Sequence, residues 1–208
     1  MMRMMRRLYA LAALGRRHPF SVSLTTATAK TAAADVITQI FLEDNLQLDL
    51  SRTTVFTCFG FWYLGGFQYW LYVRSFGRWF PAAKAFGEHA TLAARLKDRA
   101  GLKDLGRQVA VGNFIHIPLI FLPSFYLTQE IVHHGFDASG PVALGRYRQN
   151  CWSDLRSAWA IWIPGHVVFF SVPMWMRLPV NHLMSFAYVC VLSLMRGGES
   201  ARITQQCD

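Results

Sequence analysis

The sequence predicts an all-α fold: a polytopic membrane helix bundle of about four transmembrane helices, with interfacial amphipathic helices and a short apolar C-terminal helix. Three observations predict it. Apolar residues make up 53% of the 208 positions and charged residues only 16%, against roughly 25% charged in soluble domains. Aromatics reach 14%, with 7 Trp and 16 Phe, which suits a chain that meets lipid and holds rings at headgroup level. The basic residues behind the net charge of +9 flank apolar runs, so the surplus reads as membrane-surface charge and not as a nucleic-acid footprint.

The chain reads as a single membrane domain over 1–208. Residues 1–34 carry Arg3, Arg6, Arg7, Arg16, Arg17 and Lys30, and the first acid is Asp35. An Arg-rich, acid-free, amphipathic start resembles mitochondrial targeting information, and the apolar run Leu8–Leu14 is too short for a secretory signal. If retained, residues 1–18 form a basic interfacial helix.

Pro19 opens the first span, 20–42. Its hydropathy is depressed by Lys30, Asp35 and several threonines. Thr28, Thr31, Asp35 and Gln39 recur every three or four residues and share one face. The alanines around Ala27 and Ala34 slim this helix for close packing, so it belongs inside the bundle. After an acidic turn (Glu43, Asp44, Asn45, Asp49) comes the clearest span, 53–74, uncharged until Arg74. Some 20 residues at ~1.5 Å each cross the hydrocarbon. Gly65-Gly66 permits close approach of another helix, and Trp70 and Tyr72 mark the interface.

Residues 74–107 hold eight basic residues against three acids. A helix over 82–100 is expected to lie on the membrane surface. The third span, 108–132, carries Pro118 and Pro123, tolerated within membranes. Gly135, Gly140, Pro141 and Gly145 punctuate 133–155 as a polar loop. The fourth span is 156–176, and an apolar helix over 180–195 is short for a further crossing. The N-terminus and 74–107 are basic while 43–52 is acidic, so the positive-inside rule puts both basic segments on one side, the matrix if the membrane is the inner mitochondrial one.

No GxSxG, HExxH, P-loop or Rossmann pattern occurs, and no spacing isolates a catalytic triad. Cys58, Cys151, Cys190 and Cys207 form no CxxC pair, and His133 and His134 are adjacent and diverge on a helix, so neither a metal site nor a disulfide framework is expected. No catalytic residue and no cofactor is expected, although a structural phospholipid such as cardiolipin would fit the basic flanks.

Three stretches carry a resemblance. The first is Tyr9, His18-Pro19 and Ala34-Asp35-Val36-Ile37-Thr38-Gln39. The second is Arg78-Trp79-Phe80-Pro81. The third is Trp162, Phe169, Val172-Pro173 and Arg177, closing with Tyr188 to Ser193. Their order and spacing resemble the Mpv-17 / 22-kDa peroxisomal membrane protein family over nearly the whole chain. Ala34, Gly77 and Val168 stand where that family has Gly, Asp and Asn, Pro164 is displaced from the position after Trp162, and the closing Asn is absent. The chain looks like a divergent member. The resemblance implies a four-helix protein of mitochondrial or peroxisomal membranes, some of whose members are thought to form weakly selective channels.

Asp35 is the leading candidate site. A carboxylate inside a span is costly and is paired, hydrated or functional. It either lines a pore or forms a polar knot with Gln39, threonines or a basic residue from another helix. Arg177, Arg74 and Arg78 are candidates for lipid headgroups or interfacial carboxylates, and Trp70, Trp79 and Trp162 for belt residues. His116 and His166, inside apolar runs, suit helix–helix hydrogen bonds or a proton relay. Two functions follow. One is a non-catalytic accessory subunit of a larger mitochondrial inner-membrane complex, touching lipids and other membrane subunits. The other is a small channel with its pathway along the Asp35 face.

Overall fold

The computed structural model describes residues 18–43, 47–89, 91–172 and 174–206. Pro19 begins α1, Pro19–Ile37, because its missing N–H is one that a first turn leaves unpaired. The helix widens to π turns over Thr38–Leu42. Asp49 caps α2, its side chain accepting from the Arg52 N–H. This helix runs from Leu50–Phe59 through π turns at Gly60–Phe67 and Trp70–Ser75 to Phe76–Trp79.

The surface helix expected over 82–100 is broken. It becomes α3, Ala82–Glu88, α4, Leu92–Lys97, and the first residues of α5. The breaks fall where side chains compete for helix starts: Thr91 caps the Ala94 N–H and Asp98 caps the Gly101 N–H. α5 then runs through Arg99–Ala110, π turns at Val111–Phe121, and Leu122–His134. Gly135, at φ 57°, ends it in a conformation that glycine adopts without strain.

The polar loop expected over 133–155 is mostly helix. α6 spans Gly140–Ser171, with Pro141 in its first turn, where proline starts a helix instead of stopping it. The C-terminal element is likewise longer than expected: α7 is Met174–Gln206, not a short helix over 180–195. The expected basic helix over 1–18 lies outside the described residues except for His18, and Pro173 lies outside them too.

Among the described residues all of these elements are helices. The Phe20 ring lies 5.4 Å from that of Tyr69, so α1 and α2 are antiparallel. At Gly65 a Cβ would meet Leu24 Cα at 2.7 Å, whereas at Gly66 the nearest atom is 3.7 Å away, so only the first glycine makes the close approach. α5 ascends beside them and α6 descends. α7 then ascends parallel to α1, pairing Ser185 with Lys30, Cys190 with the Ala34 carbonyl, and Ser193 with Asp35.

The bundle therefore has two unlike ends. The basic end gathers the start of α1, residues 74–89 and 91–107, and the end of α6. The acidic end gathers residues 43, 47–49 and 133–140 and the region of α7 around Arg196. Between them lies an aromatic core of Phe56, Phe59, Tyr63, Phe121, Phe125 and Tyr188. A second cluster at the basic end packs Leu71, Phe76, Phe80, Ala83, Phe169 and Phe170.

Large apolar side chains also lie on the outside of the bundle, while several polar groups are buried inside it. Phe61, Trp62, Phe114, Ile115, Val168 and Leu183 are exposed, while Asp35, Gln39, Asn113, Asp154 and Ser193 are wholly buried. By length and mean hydropathy, 1.5 over its best window, one described helix is apolar enough to cross a membrane, Arg99–Asp137, and Val180–Arg196 is a shorter apolar stretch. The remaining long helices score lower because tyrosines, tryptophans, threonines and glycines replace aliphatic residues in them.

Candidate functional site

The sequence brings Asp35 and Gln39 to one face of α1, and the fold surrounds that face with donors. Asp35 is wholly buried. Its Oδ1 accepts from Arg52 Nε at 2.8 Å and from Ser193 Oγ at 2.6 Å. Its Oδ2 accepts from Thr53 Oγ1 at 2.7 Å and from Gln39 Nε2 at 2.8 Å. Three helices, α1, α2 and α7, thus converge on one carboxylate.

Arg52 is the second centre of this knot. Its two terminal nitrogens donate to both Glu43 oxygens, at 2.7 and 3.1 Å, and one of them also reaches the Ser193 carbonyl at 3.1 Å. A bidentate guanidinium is planar and directional, so the pair fixes both the position and the rotation of α2 against α1. Gln39 completes the ring by accepting from the Asp49 N–H at 2.7 Å, which ties the α2 cap to α1.

Two further knots sit at the same end. Asp154 on α6, wholly buried, accepts from Tyr126 Oη at 2.7 Å and from Arg196 Nε at 2.7 Å, joining α5, α6 and α7. Glu130 on α5 accepts from Arg146 on α6 and, at 3.2 Å, from the Ser139 N–H. Each carboxylate is matched to one arginine. In low dielectric, removing either partner strands a buried charge, so the pairs lock the register of the helices.

The other residues singled out by sequence are dispersed. Thr28 and Thr31 donate to carbonyls of their own helix, those of Leu24 and Ala27, and line no passage with Asp35. Thr31 instead packs on Gly60, where a Cβ would come within 2.9 Å. Trp70, Arg74, Arg78 and Trp79 are exposed at the basic end. Phe80 and Phe169 are core residues there. Pro81 is exposed as it leads into α3, and His18 precedes α1 without capping it. Trp162 is no belt residue: it is 6% exposed, and its ring lies 5.0 Å from that of His166. The Arg177 side chain lies outside the described residues.

His116 and His166 face one another across a cavity of about 10 Å³ lined also by Gln68, Tyr72 and Trp162. Tyr63 Oη is 2.9 Å from His116 Nε2, and Tyr72 Oη is 3.2 Å from its Nδ1. His166 Nδ1 is 3.0 Å from Asn113 Nδ2. Both imidazoles thus serve contacts between helices. No group of three or more His, Cys, Asp and Glu able to hold a metal occurs among the described residues.

Sequence reasoning did not single out Arg52, Ser193, Glu130, Asp154 or Arg196. Arg52 and Glu43 read as loop charges, and Asp154 and Arg146 as a balanced polar loop. A usable signal was present: each acid next to an apolar run needs a cation, and the arginines lie just beyond the ends of the same runs. Compared with known protein families, curated proteins and solved structures, the chain has no match.

Proposed function

We propose that the chain is a non-catalytic integral membrane protein, a structural subunit packed by its exposed aromatic and aliphatic faces against lipid and other membrane-embedded subunits. The burial of ionic groups beneath an exposed apolar exterior carries this reading. Fully buried Asp35 and Asp154 sit in an interior ringed by exposed rings and branched chains such as Phe61 and Val168. In water such an exterior would mark a sticky patch. In a bilayer it is the ordinary solvent-facing surface, with ionic groups turned inward.

On this reading all five long helices cross: α1, α2, α5, α6 and α7. The polar groups within these helices are spent on one another, as Asp35 on Arg52 and Ser193, and Asp154 on Tyr126 and Arg196. Trp70, Arg74, Arg78 and Trp79 then stand at the headgroup level of the basic side, where rings and guanidinium groups suit anionic lipid, cardiolipin included. The basic side faces the matrix if the membrane is the inner mitochondrial one, the assignment that the Arg-rich start favours; a peroxisomal membrane is the alternative. The motif order supports descent from the Mpv-17 family.

Asp35 as the lining of a conducting path finds less support. Both of its oxygens accept two hydrogen bonds and its helix face is covered by α2 and α7. A knot of this kind holds helices together and presents no free charge to a passing ion. Two measurements together test the subunit reading. Native electrophoresis of solubilised membranes should place the chain in a large assembly, and purified protein in planar bilayers should not conduct. Conductance whose selectivity changes in Asp35→Asn, with the chain migrating alone, would replace this reading with the channel.

A further inference from the structure

The buried carboxylates of the interior are matched by arginines, but Lys30, midway along α1, faces no carboxylate among the described residues. Lys30 lies on α1, half-buried against α7, and its Nζ donates to Ser185 Oγ. Among the described residues it makes no ion pair. One turn before Ser185 is His182, and both of its ring nitrogens are buried without a hydrogen-bond partner. Around Lys30 the α1–α7 seam thus holds three donor-capable groups and no acid; the acid farther along it, Asp35, is already saturated by Arg52, Ser193, Thr53 and Gln39.

The depth of this seam restricts what could complete it. Lys30 stands 11 residues from Pro19 and 12 from Leu42, or roughly 16–18 Å from either end of α1. The hydrocarbon half-thickness is about 15 Å, so a lipid phosphate lies beyond the reach of this ammonium, which is turned toward Ser185. The surroundings suit another helix. On α1, Thr26, Ala29, Ala33 and Ile37 form an exposed stripe at helical spacing, most of it small. On α7, Leu183 is 72% exposed and Ala187 is exposed one turn later. Small residues allow a neighbouring backbone to come close.

Resting on the subunit reading, we infer that Lys30, Ser185 and His182 form the receptor for a partner transmembrane helix that carries an aspartate or glutamate at mid-depth. The carboxylate replaces the missing counter-ion: half-buried Lys30 supplies the charge and the hydrogen bond, and buried Ser185 and the buried ring nitrogens of His182 form the polar floor behind it. The stripe on α1 and the exposed residues of α7 form the walls of the groove.

The test uses the full chain in phosphatidylcholine vesicles with a synthetic Leu/Ala transmembrane peptide bearing one central Glu, and its Gln counterpart. Energy transfer between labels on protein and peptide reports association. The Glu peptide should bind about three- to tenfold tighter than the Gln peptide, as for other intramembrane polar contacts. Lys30→Met should abolish the difference and Lys30→Arg should keep it, which separates a lost ion pair from a misfolded protein. Equal binding of the two peptides, a preference that survives in Lys30→Met, or displacement of the Glu peptide by added cardiolipin would each overturn the inference. Because the peptide assay does not need the native assembly, its failure beside intact co-migration would remove the receptor and leave the subunit.

Discussion

At the scale of single residues, the Asp35–Arg52 pair determines most of what this protein tolerates. Breaking a buried pair leaves an unmatched charge and costs about 3–5 kcal/mol, whereas removing both partners costs far less. Asp35→Ala should therefore destabilise the detergent-solubilised chain by about 3–5 kcal/mol, seen as a lower midpoint of thermal or denaturant unfolding. Arg52→Met added to it should recover part of the loss. A double mutant as unstable as the sum of the singles would mean that the two residues act independently. The pairing itself was half legible. The helical spacing of Asp35 and Gln39 follows from sequence, because one helix sets it. Thr53, Arg52 and Ser193 do not follow, since no local rule relates position 35 to position 193.

At the scale of elements, the boundaries of the helices are set by small polar devices that hydropathy does not register. Asp98 caps α5, accepting from the Gly101 N–H at 2.9 Å and lying 3.1 Å from His89 Nε2. The Gly101 backbone hydrogen bond is the main reason that its carboxyl titrates below its ordinary value, with His89 adding to it. A depressed folded value means that the cap's contribution is present above the ordinary carboxylate pKa, about 4, and is lost as pH falls through the lowered folded value. The protection factor of the Gly101 amide, taken against the intrinsic exchange rate at each pH, should accordingly fall on acidification. Asp98→Asn, which keeps a capping side chain but does not titrate, should flatten that dependence. A Gly101 protection factor that is unchanged by acid in the unaltered chain would contradict the assignment.

Proline gives a second case at this scale. Pro118 sits inside α5 among π turns, where its absent N–H leaves the carbonyl five residues back, that of Asn113, without a helix partner. Trp159 Nε1 on α6 donates to that oxygen at 2.9 Å. The Pro118 carbonyl in turn accepts from Tyr147 Oη at 2.7 Å. Sequence marked this proline only as tolerated within a membrane helix; the groups that bond the carbonyls around it are on another helix and became visible only in the packed structure.

At the scale of the whole molecule, the parity of crossings decides which side each end occupies. If α7 crosses, an epitope fused after residue 208 lies on the side of Phe136 and opposite Arg78. Single cysteines at Arg78 and at Phe136, in a background without native cysteines, should label with a membrane-impermeant maleimide from opposite faces of sealed vesicles. The fused epitope should be cleaved from the Phe136 side. Cleavage from the Arg78 side would show that α7 does not cross and restore four spans.

Composition and hydrophobic patterning alone determined that this chain is helical, that Asp35 and Gln39 share one helix face, and that a carboxylate in that apolar setting is costly. They could do so because helix formation and the cost of a bare charge in an apolar setting are local matters. The tertiary structure decided the rest: α7 as a full member of the bundle, the three arginine–carboxylate knots gathered at one end, and Lys30 left without an acid. Those facts depend on which side chains meet across helices far apart in sequence. A single chain read in one dimension carries the charges, but only packing shows which of them meet.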